Sequence, residues 1–351
     1  MRILFVNPFG IGDVLFTSPL IRALKERGHS VCYWCNERTA DLLRHNECVE
    51  SLFALSRGDL KKMLKASLRR ALARIFALFR YIRKGRFDAA LDFSLDSRYG
   101  FILRISGVKN IFGFDYKKRG RFLTGKIKIN GFSGRHMVDF YAELLSFIDA
   151  DLRPGAAMEL GVGREDAEWA ESFLSRRGLR RGDILVGMAP GGGSSWGGDA
   201  FRKRWPKDRF ARVADRLSGE YTVILLGSRE ERDICDYIYN ASGKRPLNLC
   251  GRTALGRFAA VLKRCRLLIT NDGGPLHMAS ALGVRTVSIF GPVDEKVYGP
   301  YPPSEKHTII TSGVGCRPCY KDFRYPLCQN RICLDSIEPS TVIEAARRIL
   351  E

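Results

Sequence analysis

Two Rossmann-like α/β domains facing each other across a cleft are the fold class predicted here, on three observations. Short apolar runs alternate with amphipathic stretches in both halves of the chain, as βαβ units require. Glycine-bearing turns close several of those runs, at the carboxyl ends of strands where such folds hold ligands. The 351 residues exceed one comfortable core. Domains are expected over 1–150 and 183–335, joined by a linker at 151–182 and followed by a terminal helix at 336–351.

Arg2–Asn7 reads as the first strand, followed by the turn Pro8-Phe9-Gly10-Ile11-Gly12-Asp13 and a helix to about Arg27. Gly28 closes that helix and Val31–Cys35 is the second strand. Further strands are expected at Phe87–Phe93 and Ile111–Phe114, and a helix at His136–Ile148. The polar stretch Asp149–Gly155 then leads into the linker, and its Asp149-Ala150-Asp151 reads as a solvated helix end rather than a metal site. In the second half the pattern restarts with the strand Ile184–Ala189 and a glycine-rich loop. There follow the helix Phe210–Leu217, the strand Val223–Leu226, and the helices Glu230–Ile238 and Leu255–Lys263.

The most informative stretch is Leu267–Pro292, LLITNDGGPLHMASALGVRTVSIFGP. It reads as strand (Leu267–Thr270), glycine turn (Asn271–Pro275), helix (around Leu276–Leu282) and strand (Val284–Phe290). Glycines in such a turn let backbone N–H groups approach an anion, and the helix dipole favours negative charge there. The turn suits phosphate, with Asp272 and His277 alongside; the plainer alternative is a βαβ turn that needs glycine for packing. Three other loops share that geometry. Gly10-Ile11-Gly12-Asp13 lacks the full GxGxxG pattern, and Asp13 suits either a base or a helix cap. Ala189–Ser195, with Ser194 and Ser195, runs on to Lys203-Arg204-Trp205-Pro206 and suits phosphate oxygens, or else is a surface loop. Leu226–Glu231 ends a strand, and a glutamate there can hold ribose hydroxyls or favour a helix N-terminus.

Charge is lopsided at +20, which predicts a polyanionic partner. Between Lys61 and Arg86 lie ten basic residues and no acidic one, interleaved with apolar residues at near-helical spacing. Such a helix can lie on an anionic bilayer or pack on a core with a basic rim. No nucleic-acid-binding motif accompanies the charge, so no nucleic-acid partner is expected. No apolar run is long enough for a transmembrane helix, and the N-terminus reads as a strand, not a signal peptide; a cytoplasmic protein is expected. Six cysteines (Cys32, Cys35, Cys48, Cys235, Cys250, Cys265) read as buried thiols of a reduced compartment. Cys316, Cys319, Cys328 and Cys333 cluster within eighteen residues, leaving structural zinc, free thiols or a local disulfide open.

Asn7-Pro8-Phe9-Gly10-Ile11-Gly12-Asp13-Val14-Leu15 with Pro19, then Lys203–Pro206, Asn271–His277 and Phe290-Gly291-Pro292, resemble glycosyltransferase family 9 in order and over nearly the whole chain. These are the ADP-heptose:lipopolysaccharide heptosyltransferases of Gram-negative bacteria. The resemblance implies a GT-B fold with the acceptor on the N-terminal domain, the nucleotide sugar on the C-terminal one, and the terminal helix crossing back to the first. It implies that Asp13 is the general base, with Gly10 and Gly12 on the acceptor side. It implies that Lys203 holds the donor phosphates, that the segment Asp272, Gly273, Gly274, Pro275, Leu276, His277 binds the diphosphate, and that Glu230 or Glu231 meets the ribose. Adenine would sit near Leu249–Thr253, and His136-Met137 matches a recurring family element whose role the sequence does not give.

Two departures stand out. Many family members have threonine where Gly273 stands, and the loop Gly191–Ala200 is longer than the family pattern before the lysine. The chemistry implied is a single inverting displacement. Asp13 takes the acceptor proton, while Lys203 and backbone N–H groups of Gly273–Leu276 stabilise the departing ADP oxygen. A lysine and a helix terminus can stand in for a divalent cation, so no cofactor is expected for transfer. Phosphorylated lipid acceptors in the inner membrane would attract the basic segment 61–86, giving a peripheral membrane enzyme. Two other functions fit the same motifs: a GT-B enzyme using another nucleotide sugar for a different surface glycan, and a non-catalytic nucleotide- or polyanion-binding module.

Overall fold

The computed structural model describes residues 1–193, 197–324, 328 and 330–351. Its chain divides into two units, Met1–Gly161 and Val162–Glu351. The first unit holds six strands: β1 (Arg2–Asn7), β2 (Ser30–Cys35), β3 (Val49–Ala54), β4 (Ala89–Asp92), β5 (Asn110–Tyr116) and β6 (Gly125–Ile129). They pair in parallel in the order β3-β2-β1-β4-β5-β6. The second unit repeats the plan with β7 (Leu185–Ala189), β8 (Thr222–Leu225), β9 (Leu247–Asn248), β10 (Leu267–Asn271), β11 (Arg285–Phe290) and β12 (His307–Thr311). Their order is β12-β11-β10-β7-β8-β9, again all parallel.

Both sheets are doubly wound, so the strand order reverses once in each: between β1 and β4, and between β7 and β10. Ligands of such sheets bind beyond the carboxyl ends of the strands at that switch point. The central strands are apolar along their whole length because helices cover both faces: Ile3, Leu4, Phe5 and Val6 of β1 and Leu267, Leu268 and Ile269 of β10 are fully buried. Parallel pairing without hairpins requires a crossover between successive strands, and helices supply most of it. Six buried cysteines fill space in these cores, as their apolar settings predict.

Several expectations are corrected. The helix after β1 is interrupted, as Ile11–Leu15 and Ser18–Glu26, with Pro19 in the first turn of the second piece, where its missing N–H costs no helical bond. The basic region is also two helices, Arg57–Ala66 and Leu68–Gly85, parted at the extended Ser67, whose hydroxyl accepts from Arg70 N at 3.3 Å. The expected linker 151–182 contains a helix, Arg164–Ser175, that belongs to the second unit. It packs on the helix Leu255–Arg264, where Glu171 meets Arg264 at 3.0 Å and Arg257 lies over the Trp169 ring. The terminal helix Pro339–Leu350 packs within the second unit. Its stripe Val342, Ala345, Ala346, Ile349 and Leu350 joins Trp205, Phe210 and Val287 in the second unit's own core.

Candidate active site

At the first switch point, β1 ends in the buried Asn7, whose amide builds the loop that follows. Its Oδ1 accepts from Phe9 N (3.2 Å) and its Nδ2 donates to Asp13 O (2.9 Å). Asn36, just beyond β2, steadies the same loop by donating to Pro8 O (3.0 Å) and to Phe9 O. Gly10 caps the short helix, and Asp13 Oδ2 accepts from Gly10 N at 3.3 Å, so the carboxylate does serve as a cap. Its other oxygen accepts from the hydroxyl of Tyr141 at 3.4 Å. Asp13 is half-buried, with both oxygens held, while Gly12 lies one residue away in the same first helical turn.

His136 now has a role. Its Nδ1 accepts from Val138 N (3.1 Å), capping the helix Met137–Ala142 that carries Tyr141. Its ring also meets Phe16 edge-on at 5.2 Å, which seats that helix against the Asp13 turn. On the other side of the switch point, β4 ends in Asp92, which is buried and accepts from Ser94 N at 2.9 Å. Burial pushes its carboxyl up to about 6.

At the second switch point one side chain ties three segments together. Asn271, buried at the end of β10, accepts from Trp205 N (2.9 Å) and donates to Pro190 O (2.6 Å). Trp205 is in turn locked by its indole N–H on Ile337 O (3.1 Å) and by the edge of Phe210. This fixes the approach of Lys203, whose side chain is 3% exposed and lies 3.4 Å from Asp272 Oδ2. A lysine so desolvated is held by its carboxylate partner, since an unpaired charge would not remain buried.

The turn Asp272-Gly273-Gly274 opens the helix Gly274–Ala281. Leu276 N and His277 N both donate back to Gly273 O (3.1 and 3.4 Å), and Pro275 has no N–H. Among the described residues, the N–H groups of this first turn that enter no hydrogen bond are those of Gly273 and Gly274, a narrower set than Gly273–Leu276. His277 is buried on the helix.

Gly273 is required for a second reason. A Cβ there would stand 1.8 Å from Gly192 O, and its φ of +153° with ψ −171° is backbone that side-chain-bearing residues scarcely adopt. The glycine loop after β7 is thus pressed onto the turn. Its other side is braced by Glu231, whose two oxygens accept from Gly193 N (2.8 Å) and Ser228 N (2.7 Å), while Arg204 Nε reaches Gly191 O (2.7 Å). The loop backbone at Gly192 occupies the space a side chain at 273 would need.

Glu231 is buried in this bracing, whereas Glu230 stands exposed on the turn Arg229–Glu231 after β8. The segment Leu249–Thr253 lies beside that turn, with Cys250 Sγ donating to Ser228 O at 3.1 Å. Ser194 and Ser195 lie outside the described residues. Of the C-terminal cysteines, Cys333 is buried, Cys319 half-buried, and Cys316 and Cys328 exposed, and none is in a disulfide. Burial, then the sulfurs of Cys319 and Cys316, push the Cys333 thiol up to about 11. Among the described residues no three possible ligands gather closely enough to hold a metal ion.

Two doubly wound parallel sheets of this order are a fold shared with a solved family 9 glycosyltransferase, and the family match makes the protein a glycosyltransferase of the GT-B class. More narrowly, the chain belongs to glycosyltransferase family 9 (heptosyltransferase), whose model matches residues 75–325. Lipooligosaccharide heptosyltransferase 2 of Campylobacter jejuni serotype O:6 is 24% identical over 99% of each chain. Its serotype O:2 counterpart is 31% identical over 177 residues, 49% of this chain and 53% of that one. Among solved structures, a family 9 glycosyltransferase from Veillonella parvula shares the fold with a TM-score of 0.81, at 24% identity over 99% of this chain and 97% of that one. The heptosyltransferase WaaC of E. coli, solved with ADP, shares it with a TM-score of 0.74, at 18% identity over 99% and 100%.

Sequence reasoning singled out Asp13, Lys203 and Asp272–His277, and the fold brings them to its two switch points. That reasoning missed Asn36, Tyr141, Asp92 and the bracing by Glu231. A polar residue just past a buried strand was the available signal for Asn36, and one closing a buried strand was the signal for Asp92.

Proposed function

We propose that this protein transfers a heptose from ADP-heptose to a lipopolysaccharide core acceptor, either lipid A–Kdo or an inner-core heptose, with inversion at the anomeric carbon. The observation that carries the reading is Lys203, buried against Asp272 beside the glycine-opened helix, in a family whose relatives are named for heptosyl transfer. The first unit takes the acceptor and the second the donor.

In this reading Asp13 accepts the proton of the attacking hydroxyl. Its contacts with Gly10 N and Tyr141 fix the direction in which the carboxylate faces. The diphosphate lies against Gly273 N and Gly274 N, and Lys203 gives charge to the departing oxygen, exchanging part of its contact with Asp272 for phosphate. Glu230, exposed beside the Leu249–Thr253 segment, meets the ribose, while Glu231 holds the loop. Transfer needs no divalent cation, because lysine and helix terminus supply the positive charge. A structural zinc at Cys316, Cys319, Cys328 and Cys333 would require their loop to close, and metal analysis of the purified protein decides that point.

The enzyme works in the cytoplasm, held at the inner membrane by the basic segment 61–86, near its phosphorylated acceptor. No helix among the described residues is long and apolar enough to cross a membrane. Calorimetric titration with ADP, GDP and UDP, with and without EDTA, tests the donor half. ADP preference that survives EDTA is the expected result. Preference for UDP or GDP would move the donor, and absence of nucleotide binding would overturn the reading.

A further inference from the structure

The helix Leu68–Gly85 carries more apolar side chains than the core uses. Ala71, Leu78, Ile82 and Gly85 form the buried stripe. Leu68, Leu72 and Phe76, each four residues on from the last, form a second stripe about a third of a turn away. These three are 62%, 55% and 70% exposed, and Leu64 on the preceding helix is 46% exposed. Four of the thirteen large apolar side chains left exposed among the described residues therefore fall within residues 64–76, a concentration that scattered surface residues would not give. Beyond this stripe, on the side away from the core, stand the exposed Arg69, Arg80 and Lys84, with Lys61, Lys62 and Lys65 on the preceding helix.

We propose that Leu64, Leu68, Leu72 and Phe76 insert into the acyl region of an anionic phospholipid bilayer while the flanking lysines and arginines stay among its head groups. This deepens the membrane attachment proposed above, from charge attraction alone to insertion of named side chains. Electrostatics picks the occupant. A second copy would bring the same ten cations of 61–86 against these, with no acidic residue in the segment to answer them. A nucleic acid would meet the cations but leave the leucines and phenylalanine in water. An anionic bilayer satisfies both faces, since apolar side chains reach the acyl boundary at the depth where basic stems extend to phosphate. An apolar cavity of about 430 Å³ opens beside Phe76, walled by Phe53, Tyr81 and Phe87 and rimmed by Arg80 and Lys84, and continues the same surface.

The test is sedimentation of the full chain with vesicles of phosphatidylcholine, with and without phosphatidylglycerol, at low and high salt. Wild type should pellet with the phosphatidylglycerol vesicles and keep part of that binding in high salt, because insertion is not screened. The triple variant Leu68→Ser/Leu72→Ser/Phe76→Ser should lose the salt-resistant part, with vesicle affinity falling about tenfold or more. Phe101→Ser, at an exposed site elsewhere, should bind as wild type. Because the altered side chains are exposed, the unfolding midpoint of the triple variant should match wild type. Binding by the triple variant equal to wild type would overturn the proposal. So would wild-type binding wholly abolished by salt, or a wild-type dimer that the triple variant dissolves. None of these readouts uses a sugar donor or acceptor, so they fail or succeed independently of the heptosyl reading.

Discussion

Replacing Gly273 by alanine tests the close approach between the glycine loop and the turn that opens the donor helix. The added Cβ would stand 1.8 Å from Gly192 O and 2.7 Å from the carbonyl carbon behind it, both backbone atoms that no rotamer change can move aside. Its φ of +153° adds strain of about 1–3 kcal/mol, and overpacking adds about 1–3 kcal/mol more. Gly283 is the control. It closes the same helix at φ +72°, but a Cβ there would meet nothing within 4 Å, so alanine costs only the left-handed backbone, about 1–2 kcal/mol. Urea unfolding should therefore show Gly273→Ala roughly 3 kcal/mol worse than Gly283→Ala. Nucleotide titration should weaken for Gly273→Ala alone. Equal losses of stability with unchanged nucleotide affinity in both variants would refute the argument that loop and turn are pressed together.

Two further outcomes follow from buried charge. Lys203→Met strands Asp272 without its partner and should cost about 3–5 kcal/mol in urea unfolding; adding Asp272→Asn should recover most of that, and strictly additive losses would show the pair is not coupled. Burial raises Asp92 from 3.8 to about 6, so the folded state holds that proton more tightly than the unfolded one. The stability this gives is complete below pH 3.8 and lost as pH rises through 6, about 3 kcal/mol in all. The stability difference between Asp92→Asn and wild type should thus shift toward the variant between pH 4 and 7, and a difference independent of pH would contradict the burial of an ionising carboxyl.

Much of this site was legible because its parts are local. A strand that ends in Asn7 and a turn of Gly10, Gly12 and Asp13 sit within seven residues, as do Asn271 and His277. The same holds for β10 and β11, whose buried runs are continuous. The outer strands were not legible. β3 (VESLFA), β6 (GKIKI) and β12 (HTIIT) lie at or toward sheet edges, where half the side chains face water and the apolar signal weakens. Contacts between distant segments were hidden for a different reason. Nothing in the spacing of Tyr141 and Asp13, or of Gly192 and Gly273, shows that the fold brings them together. Glu230 and Glu231 show the limit of register. Adjacent in sequence, one is exposed and the other buried as the brace of a loop thirty-eight residues earlier.

Heptosyl transfer with Asp13 as base is tested most directly by a rate. Purified wild type and Asp13→Asn are each given ADP-heptose and a lipid A–Kdo or heptosylated core acceptor, and the product is followed by mass spectrometry. Asparagine can still accept from Gly10 N, so the turn should keep its fold. Wild type should add one heptose, and Asp13→Asn should do so at a rate at least about a hundredfold lower. Transfer by Asp13→Asn at the wild-type rate, or no transfer by a wild-type protein that binds ADP, would contradict it.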